Sequence, residues 1–149
     1  MIYPIVKYGQ PVLETKAADI TEFNTPELHK LVEDMFESMY AAKGVGLAAP
    51  QIGIGKRIAV IDTTVGEDAG QKLVLINPEI IGKEGSQTSE EGCLSLPTFR
   101  ETVTRAKKVT VRAFDATGKY IGTPATSTTG RITQAKDPRV FQFGAKFHF

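Results

Sequence analysis

Tryptophan is absent, cysteine occurs once, at Cys93, and histidine twice, at His29 and His148. A single cysteine excludes an intrachain disulfide. No apolar run approaches the ~20 residues that span a bilayer. Met1-Ile2-Tyr3-Pro4-Ile5 lacks the charged-then-apolar plan of a signal peptide. Neither sign of charge is in excess: 18 Lys and Arg stand against 17 Asp and Glu, a net charge of +1. Nothing in that balance points to nucleic acid or an anionic membrane as partner. There is no internal repeat and no block of like charge. These absences leave a soluble protein, expected in a bacterial-type cytoplasm or an organelle.

At 149 residues the chain is long enough for one domain with a core of its own. Its fractions, 41% hydrophobic and 23% charged, are ordinary for a globular protein. Tyr3 to Val12, with Pro4 and Gly9-Gln10-Pro11, reads as an N-terminal arm, and a loop follows through Asp19-Ile20-Thr21. The spacing then predicts a helix from Thr25 to about Ala42. Thr25 suits the cap, Pro26 the first turn, and Glu27 complements the helix dipole. Leu28, Leu31, Val32, Met35, Phe36, Met39 and Tyr40 recur at steps of three and four and form one apolar stripe. Gly44 is expected to close the helix. His29 and Glu33 share a face off that stripe. Their spacing would suit a shared metal, but the pair reads as surface decoration.

Ile58-Ala59-Val60-Ile61 reads as a buried strand, and residues 66–70 as a polar loop. Leu73 to Ile76 is a second strand, closed by Asn77-Pro78, and Glu79 to Gly82 a third. Residues 85–90 are polar and expected to be exposed. Glu101 to Arg105 and Lys108 to Phe114 read as strands, with a turn at Asp115 to Gly118 leading into Tyr120-Ile121. One early helix followed by many short strands argues for an α+β fold with short antiparallel sheets. Beyond Gly122 the character changes. Thr123 to Gly130 is poor in large apolar side chains, Val140 to Phe143 is a β-like scrap, and no amphipathic helix of useful length appears. The expected division is a domain over 1–121 and a divergent, loosely packed tail over 122–149.

Chemistry is concentrated in two stretches. Gly44-Val45-Gly46-Leu47-Ala48-Ala49-Pro50-Gln51-Ile52-Gly53 sets three glycines, two alanines and a proline around one carboxamide. Such a loop presents backbone groups and one amide side chain to a bound molecule, with glycines permitting close approach. The bland alternative is a small-residue turn between a helix and a strand. Glu91-Gly92-Cys93-Leu94-Ser95-Leu96-Pro97 places the only cysteine beside a glycine. A lone cysteine is commonly a small buried hydrophobe. It is also, as thiolate, an effective ligand for Zn²⁺ or Fe²⁺.

Both stretches, in this order, closely resemble the first two signatures of the peptide deformylases, and the likeness covers roughly the first four fifths of the chain. The resemblance implies a peptide deformylase-like α+β fold. It implies metal-dependent hydrolysis of the N-formyl group from the formyl-methionine that begins new polypeptides, with Fe²⁺ or Zn²⁺ as the metal. Cys93 would be a metal ligand. Gln51 and the Leu94 N–H would be donors to the oxygen on which negative charge develops. The backbones of Gly46 and Gly92 would hold the peptide as an added strand, Val45 would line the methionine pocket, and Arg100 would lie near the peptide chain. The implied partners are N-formyl-methionyl peptides, close to the ribosome.

The family's third signature, H-E-x-x-H on a helix, supplies two more ligands and the general-base glutamate; this sequence has no such motif. His148 stands in Lys146-Phe147-His148-Phe149 with no acidic neighbour. Two readings are open: an ending altered by a shifted frame or truncation, or a non-catalytic relative that binds N-terminal peptide segments. In either case an impaired chain is expected.

Overall fold

The computed structural model describes residues 1–106, 108–121 and 131–132. Its elements are α1 (Pro11–Glu14), α2 (Pro26–Ala41), β1 (Gly46–Ala48), a 3-10 turn (Ala49–Ile52), β2 (Ile58–Ile61), a second 3-10 turn (Ala69–Gln71), β3 (Leu73–Glu84), β4 (Gln87–Cys93), β5 (Leu96–Arg105), β6 (Lys108–Phe114), β7 (Tyr120–Ile121) and β8 (Arg131–Ile132). The strands form an antiparallel sheet in the order β1-β2-β3-β6-β7, with β8 also on β6, and a separate ribbon of β4 and β5. The ribbon is thus a hairpin inserted between two neighbours of the main sheet. This is the α+β architecture the strand pattern predicts. Residues 122–130 and 133–149, on which most of the expected loose tail falls, lie outside the described residues. No described helix is long and apolar enough to cross a membrane.

Helix α2 forms where its periodicity places it. Thr25 Oγ1 accepts the Leu28 N–H at 3.1 Å, and Pro26 occupies the first turn. The whole predicted stripe packs into one cluster with Leu47, Ile58, Val60 and Ile76. Alternation in the strands divides the sheet's faces. Ile58, Val60 and Ile76 face the helix, whereas Ile61, Leu75, Val111 and Ala113 cluster separately.

Two local expectations are corrected. The left-handed residue after the helix is Lys43, with φ 57°, not Gly44. Gly44 gives Leu94 room instead: a Cβ there would stand 2.8 Å from Leu94 Cδ1, and that side chain would have to shift. The second and third strands are one continuous β3, because the Asn77-Pro78 interruption is absorbed as a register shift between Ile76 and Glu79. Asn77 has φ 50°, and its amide donates to the Arg57 carbonyl at 2.8 Å. Thr88 and Glu90 are exposed, as expected of this polar stretch, and residues 87–90 belong to β4, a strand the sequence did not suggest. The N-terminal arm also contains the unforeseen single turn of α1, started by Pro11.

Candidate active site

Gln51 lies in the 3-10 turn after β1 and is fully buried. Its Oε1 accepts the Ala48 N–H at 3.0 Å, so the carboxamide is held by the backbone of its own loop. That contact fixes which end is free. Nε2 points across the chain to Cys93 Sγ, 3.8 Å away and 42 residues distant in sequence. Pro50 and the left-handed Gly53, with φ 83°, confine the turn on either side. The turn is closed further by the Ile54 N–H donating to the Ala49 carbonyl at 3.0 Å.

Cys93 ends β4, where the pairing with β5 slips between Gly92 and Cys93. Cys93 stays paired with Leu96, so the site lies at the ribbon's tip. Cys93 is half-buried and its thiol is free. Leu94 packs against the helix-side core and into the space left by Gly44. The two motifs, distant in sequence, therefore meet in one place.

The other expected residues are distributed around this pair. Val45 is 3% exposed, and its carbonyl accepts the Asp62 N–H at 2.9 Å. Gly46 begins β1 and pairs with Ile61. Gly92 pairs with Arg100 across the ribbon. The Arg100 guanidinium is well exposed and faces Glu90 at 3.8 Å, an ion pair across the ribbon. His29 is exposed on α2 and its Nε2 lies 2.9 Å from Asn24 Oδ1, as expected of surface decoration.

The family profile described as Polypeptide deformylase matches residues 2–136. The chain belongs to the peptide deformylase family. A peptide deformylase of Acidobacterium capsulatum is 63% identical over 120 residues, covering 80% of this chain and 70% of that one. One of Thermodesulfovibrio yellowstonii is 47% identical over 133 residues, covering 89% and 80%. Among solved structures, a peptide deformylase from Thermotoga maritima superposes with a TM-score of 0.79 at 36% identity, covering 95% of this chain and 88% of that one. One from Legionella pneumophila gives 0.77 at 43% identity, over 81% and 70%.

Membership implies the family's activity, removal of the N-formyl group from new peptides, and its dependence on a metal. The deformylase metal provides a test of the residues present. A catalytic site of this type needs about three protein ligands and an open position. Among the described residues no group of three or more His, Cys, Asp or Glu side chains is placed to hold a metal. Among the described residues, Cys93, half-buried beside Gln51, is the candidate ligand. His29 is engaged elsewhere, and His148 lies outside the described residues. The ligand set in hand does not fit a complete centre.

Sequence reasoning missed the part played by the N-terminal arm. The Val6 N–H donates to the Gln51 carbonyl at 2.7 Å, and the Tyr8 N–H to the Ser95 carbonyl at 2.9 Å. These are backbone contacts, and side-chain identities carried no signal for them.

Proposed function

We propose that this chain retains the oxyanion-binding part of a deformylase site, with Cys93 as metal ligand and Gln51 Nε2 and the Leu94 N–H as donors to the formyl oxygen. The observation that carries this reading is the pinned carboxamide: Oε1 on the Ala48 N–H and Nε2 towards Cys93. A donor oriented before substrate arrives needs no reorganisation as negative charge develops. A carboxamide supplies an N–H without adding a charge that would have to be buried. Leu94 is anchored in the core, which favours a rigidly held amide beside the thiolate.

The substrate class is N-formyl-methionyl peptides of new chains, met close to the ribosome in a cytoplasm or organelle. Strand β1 lies at the end of the main sheet, and Gly92 lies one residue before Cys93. A peptide entering between Gly46 and Gly92 would bind as an added strand. Val45 would bound the methionine pocket, and Arg100 would meet the peptide further along.

The metal would be Fe²⁺ or Zn²⁺ with Cys93 as one ligand. One thiolate without the two histidines and the glutamate of H-E-x-x-H is expected to hold such a metal weakly, since affinity follows ligand number and geometry. We therefore read 1–121 as the deformylase domain, 122–149 as a divergent tail, and deformylation by this chain as impaired.

The test is metal content and formate release from formyl-methionyl peptides, measured on this chain and on a chimera. The chimera replaces everything after Lys119 with a family ending that contains H-E-x-x-H. The expected outcome is negligible release by the chain and recovery in the chimera. Cys93→Ala should abolish the recovered activity, and Gln51→Ala should lower kcat by about 10²–10³-fold. Formate release by the unsubstituted chain that disappears with Cys93→Ala would refute the impairment.

A further inference from the structure

The two motifs that meet at the site belong to different sheets. Gln51 follows the end strand of the main sheet, whereas Cys93 ends a strand of the separate ribbon. No strand pairing joins the two sheets among the described residues. A third segment joins them: the Val6 N–H reaches the Gln51 carbonyl and the Tyr8 N–H reaches the Ser95 carbonyl. One acceptor belongs to the proposed oxyanion glutamine itself, and the other lies two residues beyond Cys93.

The donors are two residues apart, and two residues of backbone reach at most ~7 Å. Adding the two hydrogen bonds, of 2.7 and 2.9 Å, holds the two acceptor carbonyls within about 13 Å of each other. The arm is fixed at its outer end as well. The Tyr3 N–H donates to Ser38 Oγ at 2.8 Å, and that hydroxyl donates to the Asp34 carbonyl at 2.7 Å. Ser38 is 1% exposed, so this anchor is buried in the helix-side packing.

We infer that the N-terminal arm is a positioning element of the site: through the Val6 and Tyr8 N–H groups it sets the separation of Gln51 from Cys93 and Leu94. This role rests on the deformylase reading of those residues. The geometry is measured without metal, substrate or turnover, so either claim can fail while the other stands.

Val6→Pro and Tyr8→Pro each delete one N–H, while Val6→Ala and Tyr8→Ala retain it. The readout is hydrogen exchange at the Gln51 carboxamide in the full chain labelled with ¹⁵N-glutamine, with the methyl signals of buried Met35 and Met39 reporting the core. With those methyl signals unchanged, carboxamide exchange should rise at least ~10-fold in the proline variants and stay within ~2-fold in the alanine variants. Equal exchange in proline and alanine variants with an intact core would overturn the inference. Where a proline variant does not fold, the backbone amides of the unsubstituted chain decide. Protection of Val6 and Tyr8 within ~10-fold of Ala48 is expected, and exchange at free-peptide rates beside a protected Ala48 would overturn the inference.

Discussion

Two buried polar side chains show how this molecule satisfies such groups at the scale of single residues. Gln51 uses one end of its amide to hold its own loop and turns the other towards Cys93 Sγ. Gln51→Glu replaces the Nε2 donor with a charged acceptor facing sulfur in a fully buried position. We expect a loss of ~1–3 kcal/mol in urea unfolding, from desolvating a poorly matched carboxylate. Asp62 is also fully buried. It accepts from the Tyr40 hydroxyl at 2.5 Å, the Thr64 hydroxyl at 2.6 Å, the Thr64 amide at 2.8 Å and the Gly66 amide at 2.9 Å. Burial alone pushes its carboxyl up, but these hydrogen bonds, led by the Thr64 side chain and the Tyr40 hydroxyl, hold it below the usual carboxylate range. Its folded value being depressed, its stabilisation is full above the unfolded value, about 3.9, and is lost as pH falls through the lower folded value. The thermal midpoint should drop over that acid window, and Asp62→Asn should lower the midpoint near neutrality while flattening the acid limb.

At the scale of elements, helix α2 was legible because one stripe of side chains determines its face, and every stripe residue packs where expected. Met35 is fully buried at its centre. Met35→Ala should cost ~2–5 kcal/mol in chemical denaturation, the range for deleting a large core side chain. The burial of Asp34 and Ser38 on the same helix was not legible, because the cover comes from the arm. Strand β4 escaped notice for a different reason. Gln87 to Glu91 is polar throughout, and a ribbon paired only with β5 need not show the apolar alternation that marks a half-buried strand. The break at Asn77-Pro78 misled in the opposite direction. A proline there reads as a strand end, but a local register shift lets β3 continue beyond it.

At the scale of the whole molecule, the candidate site was legible as two motifs whose chemistry required a common location, and Gln51 and Cys93 do meet. What was not legible is how two sheets are kept in register around that location. Side-chain patterns report burial, whereas the arm's contacts use N–H and C=O groups that nearly every residue possesses. The same arrangement imposes an order on synthesis. The arm is made before both of its acceptors, and one of them, the Ser95 carbonyl, follows roughly ninety residues later, about 4–18 s at 5–20 residues per second. The arm must therefore wait for its partners, and its bridge between Gln51 and the Cys93 segment cannot close until Ser95 has been made.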